Sequence, residues 1–84
     1  MNSVLDEVRR HFIQRIELSL VTRIEEIEGR VASNEEVARY AHRVIYPDGV
    51  SLYTWKGQPI VRVIPPSFRQ DSAIIGEVIE LRPA

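Results

Sequence analysis

The chain contains no cysteine. That absence removes disulfide bridges, thiolate metal sites and a cysteine nucleophile together, and it agrees with a reducing compartment. Long apolar runs are lacking too: nothing approaches the roughly 18 residues that span a bilayer. The first residues do not follow the basic-then-apolar order of a secretory signal, because Asp6, Glu7, Arg9 and Arg10 interrupt any apolar stretch. A cytoplasmic protein with no membrane partner is the expectation. An excess of charge of one sign is also missing. The net charge is −1, unlike the basic footprint of a nonspecific nucleic-acid binder. There is no Gly-x-Ser-x-Gly, no glycine-rich phosphate loop and no His-x-x-x-His pair, so three common routes to catalysis or metal binding have no sequence support.

What is present describes an ordinary globular composition. Hydrophobic residues make up 44% and charged residues 27% of 84 residues, enough apolar content for one small domain, 1–84, and too much for a disordered chain. Leu5, Val8, Phe12, Ile16, Leu20, Ile24, Ile27 and Val31 recur at intervals of three or four. That spacing predicts a helix over about 3–29, with Ser3 and Asp6 as its start box and Gly29 as its stop. Such a helix is about 40 Å long at roughly 1.5 Å per residue. It must therefore either break near Ser19–Thr22 or project beyond a domain this small.

Ser33 and Glu36 form a second capping box, with Glu36 reaching back to Ser33. Val37, Tyr40, Ala41 and Val44 then share a face, which predicts a helix over about 34–45 ended by Pro47. Pro47-Asp48-Gly49 is a turn. Two β-rich runs, about 50–55 and 60–64, flank Lys56-Gly57 as a hairpin. A simple two-residue turn puts Tyr53 opposite Ile60. Val50, Leu52, Val61 and Val63 then share one face, and Ser51, Tyr53, Trp55, Ile60, Arg62 and Ile64 share the other. Pro59 lacks a donor and marks an edge or a bulge. A third strand covers about 74–81, with Gly76 at a bulge or close backbone approach and a frayed Arg82-Pro83-Ala84 beyond it. The expected fold is α+β, with two N-terminal helices on a three-stranded antiparallel sheet.

Candidate sites divide by chemistry. Tyr53, Trp55, Lys56, Arg62 and Arg69 combine aromatic and basic groups near the hairpin, a mixture that suits a protein partner. The competing view is that Tyr53 and Trp55 cover the core. Phe12, Ile13, Ile16 and Leu20 are the residues through which an overlong helix would pair with a second copy, since an uncovered apolar stripe otherwise faces water. Arg9, Arg10 and Arg15 could contact phosphates, but Asp6, Glu7 and Glu17 lie among them, the pattern of a solvated mixed-charge face. His42, Tyr46 and Asp48 are candidates for a site formed at a dimer interface. His11 and His42 have no ligand spacing, and Glu25, Glu26, Glu28, Glu35 and Glu36 sit at helix ends. No metal or cofactor is expected. The sequence thus suggests a non-enzymatic interaction module that self-associates through its first helix and binds a protein through the hairpin. A nucleic-acid-binding accessory protein and a small interface enzyme are the alternatives.

Overall fold

The structure is a computed structural model that describes residues 3–68, 73–74 and 76–83. Its elements are α1 (Ser3–Glu28), α2 (Asn34–Tyr40), β1 (His42–Ile45), β2 (Ser51–Trp55), β3 (Gln58–Ile64), β4 (Ser67–Phe68), β5 (Ala73–Ile74) and β6 (Glu77–Glu80). Two helices pack on an antiparallel four-stranded sheet of order β1-β2-β3-β6, and β4 and β5 form a separate two-stranded ribbon. The α+β class matches the sequence expectation; the main sheet has four strands where three were expected, and the β4–β5 ribbon is additional. No helix among the described residues is long and apolar enough to cross a membrane.

Helix α1 runs unbroken for 26 residues. Its alternative break near Ser19–Thr22 does not occur. It stops at Gly29, whose φ of 69° lets its N–H reach back to the Glu25 carbonyl at 2.8 Å in a left-handed cap. Leu20 and Ile24 are buried with Trp55, Ile60, Val61 and Val63, while Phe12, Ile16, Val21 and Ile27 pack against that cluster. Val31, expected to extend the stripe, lies beyond the helix and is exposed. Helix α1 packs on β3 and β6, so it covers only part of the sheet.

The second helix is shorter than the sequence suggests. It ends at Tyr40, and Ala41 is already extended at φ −77° and ψ 130°. His42–Ile45 is a strand, paired with β2 from His42↔Thr54 to Ile45↔Ser51. The helical spacing of Val37, Tyr40, Ala41 and Val44 is outweighed by the ladder that β-branched Val44 and Ile45 form with β2. Pro47-Asp48-Gly49 thereby becomes a strand-to-strand turn. Gly49 N–H donates to the Tyr46 carbonyl, Tyr46 N–H donates to the Val50 carbonyl, and the Asp48 carboxylate accepts from Val50 N–H. Ser33 caps α2 as expected, accepting from Glu36 N–H at 3.1 Å. The Glu36 side chain does not complete the box, because it is held by Arg30.

At Lys56-Gly57 both residues have positive φ, 51° and 79°, the conformation that suits a two-residue hairpin. Trp55 faces Gln58 as expected, but the ladder then slips: Thr54 pairs with Pro59 and Tyr53 with Val61. Ile60 is the extra residue of a bulge beside donorless Pro59. The slip exchanges faces. Tyr53, Trp55, Val61 and Val63 turn toward α1, and Leu52 aligns with Arg62 on the opposite side, which corrects the two faces read from an unbulged hairpin. Because a bulge relaxes strict alternation, two consecutive residues, Ile60 and Val61, are both 0% exposed.

The expected strand over 74–81 is divided at Gly76 into β5 and β6. Gly76 has φ 93°, and a Cβ there would lie 2.8 Å from both the Ile64 carbonyl oxygen and the Pro66 nitrogen. Arg82 is not frayed: it pairs with Glu26 at 2.9 Å and with Glu80 at 2.6 Å.

Two glycines therefore make contrasting predictions. Gly76→Ala meets both strained φ and backbone and should lower stability by about 2 kcal/mol or more. Gly29→Ala, with nothing within 4 Å of the added carbon, should cost only about 1 kcal/mol for its left-handed φ. Urea unfolding of the two variants checks the order; equal midpoints would contradict the close approach at Gly76.

Candidate interaction surface along the first helix

The aromatic–basic surface expected on the hairpin is dispersed by the bulge. Trp55 is 3% exposed; its ring meets Tyr40 edge-on at 6.3 Å, and its indole N–H donates to Glu28 at 3.3 Å. Tyr53 is half-buried against the core. Lys56 is fixed to both Glu28 carboxylate oxygens at 3.1 Å. Arg62 is exposed on the opposite sheet face, in register with Leu52 and Ile79. Arg69 lies outside the described residues.

The glutamate cluster at the end of α1 is occupied structurally. Carboxylates there oppose the helix dipole, and cations both near and distant in the chain offset them. Glu26 accepts from Arg82 and Arg23, and both guanidinium groups, Arg82 first, hold its pKa below the ordinary value. Lys56 and then Trp55 do the same for Glu28. Arg30 holds Glu36 low. Glu25 accepts from Ala32 N–H at 3.0 Å and braces the link between the helices. Among the described residues no group of three His, Cys, Asp or Glu could hold a metal ion.

The histidines and arginines do not converge either. His42 sits in β1, not at a helix end as expected, and is exposed, as are Tyr46 and Asp48 in the turn that follows. His11 and Arg15 line one shallow hollow with Val8 and Phe12, whereas Arg9 and Arg10 line another on a different flank of α1. The three arginines thus share no single phosphate-facing side.

The feature that does gather residues is a trough along α1. One hollow of about 430 Å³ is lined by Asp6, Arg9, Arg10, Ile13, Gln14 and Glu17. A second, about 380 Å³, is lined by Glu17, Leu20, Asn34, Val37, Ala38, Ala41 and Tyr53. They meet at Glu17. Asp6, Arg10, Ile13 and Glu17 follow one another by four, three and four residues and so share a helical face. Continued by three and four, that face reaches Leu20 and Ile24, which are buried where α2 packs on α1. Ahead of α2 the same stripe has no cover, and Ile13 is 54% exposed. Of the four residues expected to mediate pairing, Leu20 is core, Phe12 and Ile16 pack against the core, and Ile13 alone is largely free. The sequence signal for this was Ile13's position beside, not within, the apolar stripe.

Compared with known proteins, the sequence matches no family model, and no curated protein or solved structure matches it.

The three depressed carboxylates fix a pH dependence. Their contribution to stability is present above the ordinary glutamate range and is lost as pH falls through their lowered values. The urea midpoint should therefore drop on acidification through and below that range. In Glu28→Gln the midpoint at neutral pH should be lower and the acid-induced drop shallower, followed by Trp55 fluorescence. An unchanged acid profile in that variant would contradict the role of the Lys56–Glu28–Trp55 contact.

Proposed function

We propose that the protein is an interaction module whose working surface is the trough along α1, and that it self-associates there. The observation that carries this reading is Ile13, 54% exposed on a face of α1 that continues to the buried Leu20 and Ile24 and that α2 covers only at one end. An exposed apolar side chain framed by charges on a helix face is one that a helix from another chain can cover. Enzymatic readings have less support, because His42, Tyr46 and Asp48 lie on the outer sheet edge and its turn and line neither hollow.

A second interaction reading rests on β1. It is an edge strand, and all four of its residues are exposed. Tyr46 N–H bonds the Val50 carbonyl, so by antiparallel alternation His42 and Val44 also bond inward. Arg43 and Ile45 then direct their N–H and C=O groups outward. An extended segment of a protein partner could add there. The shortness of β1 and the charge of Arg43 oppose indiscriminate pairing.

Light scattering after size exclusion, over a wide concentration range, should show mass rising above 9.7 kDa. Ile13→Asp should weaken association about 30-fold, as expected for loss of a central apolar contact worth about 2 kcal/mol, with an unchanged circular dichroism spectrum. A protein that stays at 9.7 kDa into the high-micromolar range would overturn self-association.

A further inference from the structure

The geometry points to a specific occupant and register: a second copy whose α1 crosses the first antiparallel about a two-fold axis at Ile13, so that Arg9 and Arg10 of each copy meet Glu17 of the other. This rests on the self-association reading and deepens it.

The order of charges along the trough selects that arrangement. From one end to the other it reads Asp6, Arg9 and Arg10, Ile13, Glu17. A parallel pairing in register would stack each charge on its own kind. An antiparallel pairing centred nearer the start of α1 would set Asp6 against Glu17, both negative. Centred on Ile13, the same stripe becomes self-complementary. Arg9 lies four residues before the axis and Glu17 four residues after it, each about 6 Å along the helix at roughly 1.5 Å per residue. Arg10, about 4.5 Å from the axis by the same rise, is within side-chain reach. Ile13 then packs on its own copy at the axis. Asp6, seven residues before the axis, falls level with Leu20, seven residues after it, where Asn34 lines the trough and can donate to a carboxylate.

The ion pairs of the monomer support the same reading. Those among the described residues join Arg23, Glu26, Glu28, Arg30, Glu36, Lys56, Glu80 and Arg82. Asp6, Arg9, Arg10 and Glu17 take part in none of them, although they share one short stretch of the same helix. Charges at the far end of α1 are matched within the chain; those around Ile13 are matched only when the stripe meets its own copy.

The test is charge exchange. The double variant Arg9→Glu with Arg10→Glu, and separately Glu17→Arg, place like charges across the axis, and each should associate at least about tenfold more weakly than the unmodified chain. Mixed in equal amounts, the two variants regain opposite charges at both contacts and should associate about as well as the unmodified chain. Their exposed positions let circular dichroism verify folding. Because the chain has no cysteine, Ile13→Cys should give an intermolecular disulfide on mild oxidation, while Leu18→Cys, exposed on another side of α1, should not. If the unmodified chain associates but the mixture does not recover, or if Leu18→Cys cross-links as well as Ile13→Cys, the antiparallel register is overturned and self-association stands. If the unmodified chain never associates, both fall.

Discussion

Arg23 is the one charged side chain buried among the described residues, 3% exposed, and the way it is neutralised governs how α1 lies on the sheet. A guanidinium removed from water needs close partners to offset its desolvation. Its Nε donates to the Leu81 carbonyl at 2.6 Å, and Nη1 donates to Glu26 at 2.9 Å. Glu26 in turn holds Arg82. These contacts join α1 to the segment that follows β6, so the helix can neither roll about its axis nor slide along it without stranding a buried charge. With that rotation fixed, Leu20 and Ile24 point into the core, and Ile13, two turns earlier on the same face, lies ahead of the elements that cover them. The trough follows from where Arg23 is anchored.

The sheet supplies the second constraint. Helix α1 covers β3 and β6, and the bulge at Ile60 lets β3 present two successive apolar side chains to the core. The same bulge moves Tyr53 and Trp55 inward and leaves Arg62 on the other face. One extra residue thus exchanges an expected recognition surface for a filled core, and it shifts the candidate interface from the hairpin to the helix.

Features set by near neighbours in the chain were legible in the sequence. The three- and four-residue spacing of α1, its stop at Gly29, the Ser33 cap, the turns at Pro47-Asp48-Gly49 and Lys56-Gly57, and the special geometry near Pro59 and Gly76 all follow from local sterics and hydrogen bonding. What was missed depends on distant partners. Val44 suits a helix face as well as a strand, and only its pairing with Leu52 decides between them. Glu26 and Glu28 have Arg23 and Arg30 as neighbours in the chain, but their further partners, Arg82 and Lys56, are brought from far along it. For the trough, spacing placed Ile13 beside the stripe, but its cover could be judged only once α2 was known to end at Tyr40.

The bond from Arg23 to Leu81 spans 58 residues, which has a kinetic meaning. Helix α1 precedes the strands that bury its apolar stripe, β3 and β6, and the carbonyl that receives Arg23 follows both. Until residues 77–82 are in place, Leu20 and Ile24 have only a partial surface to close on. The contacts that complete the core are non-local ones, whose loop-closure entropy is spent before they form, a condition that slows folding. During that interval α1 exposes Leu20 and Ile24 as well as Ile13, and the nascent chain is at its most adhesive just before its fold can close.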